Sequence, residues 1–566
     1  MEDKKASQED NANEAQMVHK QGGWITFPFI TGSMLGLSLA ISGVLSNFIV
    51  YLIEEYNVKS IDAAQISNII GGCTGLAPVV GAVAADAYFG CFPVVAFSSV
   101  VSVLSLILFT LSATIRSLRP VPCTSTVALC KPSSTDNFAI LYAAVALLVL
   151  GVGGSQVNIV TMGANQFDKV KDQDIFFNWY YILLYLATII GATIIVYIQD
   201  NVSWGLGFGL CTASNAVSLL VLLLGGKYYA RPVAQGSPFS SLAQVVMAAI
   251  RKRKVVELSG GEGVDHYHGR SGDGAKLSSH VAPSQSFRFL NCAAVITPED
   301  IDSHNNSNNN PWKLCSVEQV EDLKKLIRLI PLWTSTIFVS ISVGIQSSFT
   351  VLQALTMNRS LGPHFTIPAG SIGVSVLATV VVTLTILDRL IFPLCHNFTL
   401  RTPTTLQRIG AGFAFNIVAT MASALVERTR INIVWEHHKE KSPMWIVPMS
   451  AMWLLLPLAV TGFAEALHFP GQVAFYYQEF PKKLKSTATG MVALFIALGF
   501  YLSTAVVDLV RKATDWLPDN INGSKLENVY WMLTVVGVVN FGYYLMCARL
   551  YVSQSTVDEK VEAGAS

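Results

Sequence analysis

Charge is what this sequence has least of. Asp, Glu, Lys and Arg make up 13% of its 566 residues, against 52% hydrophobic residues, where a soluble domain carries roughly a quarter charged. With a mean hydropathy of +0.47, that shortage places the chain among membrane proteins. The charges nearly cancel, to +1, and no basic patch interleaved with aromatics occurs, so nothing points to a nucleic-acid partner. The nine cysteines form no CxxC pair and no Cys/His cluster at ligand spacing, which argues against a structural metal. GxxxxGK[ST], HExxH and GxSxG are all missing, and with them the usual marks of nucleotide, zinc and acyl chemistry. The sequence therefore offers no catalytic residue, no metal site and no cofactor, and does not read as an enzyme. The first 23 residues are polar with no apolar h-region, unlike a cleavable signal. The first apolar stretch is then expected to act as an uncleaved anchor.

What the chain does have is long hydrophobic runs. A bilayer core of about 30 Å needs roughly 20 apolar residues per helix. Candidates lie near 27–53, 64–88, 93–115, 137–163, 176–198 and 206–225, and again near 329–352, 367–390, 405–427, 443–468, 487–510 and 527–550. The expectation is an all-α membrane protein with 12 transmembrane helices in two six-helix halves, 24–225 and 327–551. Residues 1–23 and 552–566 are read as cytosolic tails, and 226–326 as a cytosolic central loop. The middle of that loop, SGGEGVDHYHGRSGDGAK, is too polar to build a core. Its two ends carry helical periodicity. SPFSSLAQVVMAAIRKRK suits a helix at the membrane surface, and Ser316 with Gln319 has capping-box spacing at the start of a second lateral helix.

Lysine and arginine set the orientation. Lys169, Lys171, the RKRK run, Arg389, Arg401, Arg408, Lys482, Lys483 and Lys485 fall on one side, which favours both termini inside. RSLRP and the stretch ERTRINIVWEHHKEK, read as a loop, are exceptions on the other side. The sequons at Asn358 and Asn522 then face outside, where they are open to glycosylation. Cys123 and Cys130 share one hydrophilic loop, as a disulfide or as two free thiols. Two six-helix halves around a central path are the major facilitator arrangement. A repeat agrees with it: Asp86-Ala-Tyr-Phe-Gly90 ends the second helix, and Asp388-Arg389 with Gln407-Arg408-Ile-Gly410 takes the equivalent place in the second half.

A series of stretches in fixed order carries a resemblance. They are Gly163-Ala-Asn-Gln-Phe-Asp168, Phe176-Phe-Asn-Trp-Tyr-Tyr181, Tyr197-Ile-Gln-Asp-Asn-Val202, Phe287-Arg-Phe-Leu290, Leu329-Ile-Pro-Leu-Trp333, Gly462-Phe-Ala-Glu-Ala466 and Gln478-Glu-Phe-Pro481, together with the Asp86 and Arg408 motifs. Over about residues 24 to 550 the chain resembles the plant nitrate/peptide transporter family, a proton-coupled oligopeptide transporter branch, and within it the nitrate excretion subgroup. The family carries an E-x-x-E-[KR] motif in helix one, associated with proton coupling. Anchored on Gly43-Val-Leu-Ser-Asn47, those positions are Met34, Leu37 and Ser38 here, and the family's helix-four lysine is Gln156. A lone lysine facing a charge-free helix would cost roughly 2.5–3.5 kcal/mol at membrane depth, so the joint loss is physically consistent. The phosphorylated threonine of some members falls near Val94, the helix-five Asn and Gly appear as Tyr185 and Ala187, and the helix-seven His of some nitrate carriers falls near Gly344.

Glu465, in LLLPLAVTGFAEALHF, is the charged landmark that survives. An intramembrane carboxylate is a functional candidate, with a hydrogen-bonded structural glutamate as the alternative. Gln156, Ser348, Gln346, Asn47 and Tyr185 are further candidates for the substrate or proton path, and interhelical hydrogen bonding is the competing role for Gln346, Asn47 and Tyr185. Asp86, Asp388, Arg389 and Arg408 are read as gate residues, and His468 as a helix-end residue. No lysine or arginine is read as embedded in a helix where it could hold an anion. The resemblance implies a plasma-membrane carrier of nitrate, with chloride as a competing anion, set in a lipid bilayer. The missing coupling set implies passive efflux. A proton-coupled carrier of chloride, peptide, hormone or glycosidic metabolite using Glu465 is the first alternative. A transport-dead sensor, signalling to a cytosolic regulator through the central loop, is the second.

Overall fold

A computed structural model describes residues 22–115, 117–118, 135–167, 169–230, 238–258, 267, 283–284, 286–296, 312–391, 403–443, 445–479 and 485–564. Cys123 and Cys130 lie outside them. Twelve helices are long and apolar enough to cross a membrane. Spans 1–6 are Trp24–Leu45, Ser60–Ala84, Cys91–Thr114, Thr135–Ala164, Ile175–Asn201 and Trp204–Lys227. Spans 7–12 are Val317–Leu355, Ala369–Ile386, Thr405–Glu436, Ala451–Val473, Met491–Ala513 and Leu526–Tyr551. The protein is therefore a multi-pass, all-α membrane protein. Large apolar side chains such as Val217, Leu220 and Leu224 of span 6 point outward, as helices bathed in lipid require.

Local chemistry explains the helix limits. Pro28 sits in the first turn of span 1, where its missing N–H costs nothing. Ser203 caps span 6 through the Leu206 N–H, and Thr404 with Gln407 forms a capping box at span 9. Within the first six spans, span 3 packs on 4, span 1 on 6, span 2 on 4 and span 3 on 6. Small residues set these distances. A Cβ on Gly81 would collide with the Gly153 carbonyl oxygen, so spans 2 and 4 touch there through backbone.

Several expectations are corrected. The first helix is not continuous over 27–53: it breaks after Leu45 and restarts as Phe48–Glu54, with Ser46 and Asn47 between. The second lateral helix and span 7 are one helix, Val317–Leu355, running through Pro331. Likewise, the helix of span 10 starts at Leu455, runs through Pro470 and ends at Glu479. His468 is thus mid-helix, not at an end. A membrane helix tolerates proline when neighbouring groups satisfy the freed carbonyl.

The chain divides into two compact units. The smaller comprises Gln235–Ser335, Val473–Thr489 and the chain from Tyr544 on. In it, helix Pro238–Leu258 buries Val245, Ala248 and Ala249 with Leu290, Ala293, Ala294, Val320 and Leu323. The two ordered ends expected of the loop thus share one small core. Lys252, from the basic run, turns inward and donates to the Val295 carbonyl at 2.7 Å. Ser316 and Gln319 form the expected capping box, with N–H contacts of 2.9 and 3.3 Å.

The larger unit contains the most consequential correction. ERTRINIVWE is not loop: span 9 is helical to Glu436, and both Glu427 and Arg430 are fully buried in it. Arg430 holds Glu427 through Nε at 2.8 Å and Nη2 at 2.7 Å. Its remaining donors reach Thr356 at 3.0 Å, Asn522 at 2.8 Å and the Ile521 carbonyl at 3.1 Å. Gln353 donates to Glu427 at 2.7 Å. An arginine embedded in a helix is therefore present, with its charge already matched.

Asn522 is part of this clamp. Its amide accepts from Arg430 and donates to the Ser442 and Trp445 carbonyls, each at 3.0 Å. A folded chain has no room for a glycan there, whereas Asn358 is exposed. Removing one member of a buried ion pair costs about 3–5 kcal/mol. Arg430→Met is expected to lower the apparent Tm sharply in detergent, and Glu427→Leu with Arg430→Met to recover most of it. Endoglycosidase treatment is expected to shift the mass of Asn522→Gln protein as it does wild type, so any glycan lost in a variant is lost in Asn358→Gln.

Candidate functional site

The site is built from helix interiors, beginning with span 10. Glu465 is half-buried within it. Among the described residues its carboxylate has no hydrogen-bond or ion-pair partner, and the Tyr185 hydroxyl of span 5 is its one electrostatic neighbour. One turn on, His468 is buried against the edge of Phe413, ring centroids 5.1 Å apart, and neither ring nitrogen has a partner among the described residues. Thr461 and Gln472 complete a polar stripe on the same face, since positions i, i+4, i+7 and i+11 align on an α-helix. Thr461 donates to Gln346 of span 7 at 2.9 Å, and Gln472 donates to Thr336 of the same span. Bonds at both ends of the stripe thus hold span 10 to span 7, while the two titratable groups in its middle lack such bonds.

The remaining path candidates separate by what their polar atoms do. Gln346 is fully engaged, accepting from Thr461 and donating to Ser423 at 2.8 Å. Asn47, at the break in helix one, donates to Gln199 at 3.2 Å and Asp200 at 3.3 Å. Ser348 is buried and accepts from Asn68 of span 2 at 3.3 Å. Gln156 is exposed, while Asn158, two residues on, is buried and bonded to the Gly154 carbonyl at 2.9 Å. Met34 and Leu37 are 2% and 3% exposed. They share an apolar cluster with Val95, Ile159, Phe176 and Tyr180, and Ser38 beside them is half-buried. Among the gate candidates, Asp86 and Asp388 fall in five-residue π-helical turns, Ala85–Phe89 and Leu387–Ile391. Such turns often mark functional places in a helix. Arg389 is exposed in the second of these turns and Arg408 is half-buried in the first turn of span 9.

Residues that sequence reading passed over close one end of the larger unit. By alternation, residues 55–59, 202–203, 357–368 and 514–525 connect spans at one and the same end of the larger unit. There Arg511 bridges Asp62 at 2.6 Å and Asp519 at 2.8 Å. Lys59 pairs with Asp519 at 2.5 Å, a hydrogen bond that holds its ammonium above the usual lysine range. Gln65 donates to Asp508 at 2.6 Å, and Arg359 faces Asp200 at 3.7 Å. Deeper in, Gly72 lies so close to Tyr501 that a Cβ would meet the ring at 2.9 Å. Tyr501 also donates to Cys73 at 3.0 Å. The only advance signal was charge at the ends of spans 2 and 11, and one sequence does not say which ends meet.

Two sets of six spans bonded to each other at one end, with a Glu465 carboxyl that has no hydrogen-bond partner among the described residues, fit a membrane transport protein. The PTR2 family model, the POT family, matches residues 92–529, and the chain belongs to that family. It is 46% identical over 553 residues to Protein NRT1/PTR FAMILY 2.7 of Arabidopsis thaliana, covering 98% of this chain and 97% of that one. It is 45% identical over 543 residues to Protein NRT1/PTR FAMILY 2.3 of the same plant, covering 96% and 95%. Among solved structures it resembles the POT family transporter PepTSo, with a TM-score of 0.65 at 15% identity over 94% of this chain and 99% of that one. That likeness establishes the major facilitator fold of POT transporters. Fold and family are those of transporters, not enzymes.

Exposed ion pairs are worth about 0.2–1 kcal/mol each and weaken with salt. Arg511→Gln removes two of them. It is expected to speed hydrogen exchange in residues 55–62 and 514–525, with the gap to wild type shrinking at high salt. The swap Asp62→Arg with Arg511→Glu is expected to restore the Asp62 contact but not that with Asp519, giving an intermediate rate.

Proposed function

We propose that this chain is a low-affinity nitrate carrier of the plant plasma membrane, working by alternating access with both termini in the cytosol and releasing nitrate passively. The supporting observation is the fate of helix one. Where the family resemblance places the coupling acids, Met34 and Leu37 are packed in the apolar cluster with Ile159 and Phe176. A proton relay at pH near neutral needs carboxylates or histidines, and this cluster contains neither. Gln156, in place of the family lysine, leaves no unmatched cation opposite it.

Direction then follows from the membrane potential. One elementary charge gains about 2.3 kcal/mol per 100 mV, a factor of nearly fifty in concentration ratio. An anion uncoupled from protons therefore runs outward across an inside-negative membrane. The buried arginine, Arg430, is matched by Glu427, so a substrate anion would rely on hydroxyls, amides, Gln156 and the gate arginines. Such donors hold nitrate weakly and discriminate poorly against chloride.

One observation favours a second reading, proton coupling through Glu465: its carboxyl lacks a hydrogen-bond partner among the described residues and has the Tyr185 hydroxyl near it. Flux through purified protein in liposomes separates the two, with voltage and pH clamped independently and nitrate, chloride and internal pH followed together. Uncoupled efflux predicts voltage-driven nitrate movement without proton movement. Glu465→Gln is then expected to change that flux by less than about tenfold, the effect of about 1.4 kcal/mol in a barrier. Nitrate or an organic solute moving only with protons, and abolished by Glu465→Gln, would overturn the proposal.

A further inference from the structure

The 226–326 segment is rich in serine, and sequence gives no reason to prefer one of them for modification. The structure separates two. Ser284 is committed to a carboxylate: its N–H and hydroxyl donate to Glu321 at 2.9 and 2.8 Å. Lys324 closes that group, reaching the Ser284 carbonyl at 2.8 Å and Glu321 at 2.7 Å. A phosphate on Ser284 would be forced against Glu321.

Ser286 has the opposite surroundings. It lies half-buried in a turn before Phe287, whose φ of +49° is left-handed. Its Oγ accepts from Arg328 Nη2 at 2.6 Å and lies 3.1 Å from the Ser284 hydroxyl. Because Ser284 spends its hydroxyl hydrogen on Glu321, the Ser286 hydroxyl donates to Ser284. Arg288, two residues on, is exposed. Arg328 itself sits in helix Val317–Leu355, one residue before the apolar stretch of span 7. It is also within electrostatic reach of the Tyr551 hydroxyl, which donates to Glu479.

We propose that Ser286 is a phosphorylation site whose phosphate is received by Arg328, fixing the folded part of the central segment to the helix that becomes span 7. In the transfer, Ser286 Oγ attacks the terminal phosphorus of a nucleoside triphosphate. The Oγ–P bond forms and the bridging P–O bond breaks. The hydroxyl proton passes to the kinase's base, and nucleoside diphosphate leaves. The product carries a charge of about −1.5 to −2 at neutral pH. It replaces a neutral acceptor with charge-assisted, bidentate partners for the guanidinium. Arg328 is thereby drawn toward Ser286 and away from the Tyr551 hydroxyl, which donates to Glu479, so the modification is felt at the ends of the helices that form spans 10 and 12.

The test does not depend on which solute the chain carries. Phosphoserine is installed at position 286 of the full-length protein by codon suppression, and hydrogen exchange is followed over residues 283–296 and 317–328. Exchange is expected to slow about tenfold relative to serine, as when a neutral hydrogen bond becomes a charged one. That protection is expected to vanish in Arg328→Gln, to persist in part in Arg328→Lys, and to be absent with phosphoserine at 284. Unchanged or faster exchange with phosphoserine 286, or protection that survives Arg328→Gln, would overturn the proposal. So would incubation with Mg-ATP and a plant microsomal kinase fraction that labels other serines of the segment and never Ser286. Label at Ser286, lost in Ser286→Ala, supports it.

Discussion

The contact between Arg430 and Glu427 exposes the constraint under which the whole chain is built. An ion in a low-dielectric interior costs several kcal/mol unless a counter-ion and hydrogen bonds meet it. Here every donor of one guanidinium finds an acceptor, from Glu427 to Thr356, Asn522 and the Ile521 carbonyl. Gln353 and Tyr530 extend the bonding outward from the carboxylate, Tyr530 donating to Gln353 at 3.2 Å. Span 9, span 7 and the turn before span 12 are thus held at one point. The same constraint bears on helix one, where an ionised acid would need a matching cation and Met34 and Leu37 pack in an apolar cluster instead.

Against that background the strengths of the polar contacts differ with what each place must do. The clamp around Arg430 is buried and multiply bonded, so it behaves as scaffold. The pairs joining the two sets of spans, Lys59–Asp519 and Arg511–Asp62, are partly exposed. Each is individually weak. A carrier that alternates must break its closing contacts in every cycle, and weak, solvated pairs can be broken at little cost. Gly71 and Gly72 against Phe500 and Tyr501 add close packing beneath them, a surface on which two helices can rock without carrying charge through lipid.

The number of spans and the two ordered ends of the central segment were legible because each rests on a local signal: twenty apolar residues, a capping box, a periodic apolar face. What failed was anything decided by partners distant in sequence. Arg430 and Glu427 looked like loop charges because charge is taken as a sign of water, and nothing local reveals that Asn522, ninety residues later, completes their shell. The sequon at Asn522 misled for the same reason. The seventh and tenth helices were expected near 329–352 and 443–468, yet they run as Val317–Leu355 and Leu455–Glu479, because an apolar run marks the span and not the point where the helix stops. Of the candidate site, Glu465 stood out as a carboxylate in an apolar run. Its lack of a partner is a fact of three dimensions.

Among the described residues, span 10 is one place where the constraint is not satisfied. Glu465 and His468 lie a turn apart, between the bonds that Thr461 makes to Gln346 and Gln472 makes to Thr336. Buried polar groups without partners are rare in native proteins and are met by water, by ligand or by a second conformation. A carrier has such a second conformation by necessity, since spans that close at one end must separate at the other. Span 10 is tied to span 7 above and below this gap. A shift of span 7 therefore carries Glu465 and His468 with it, and their partners are to be sought in the state where the Arg511 and Lys59 pairs are broken.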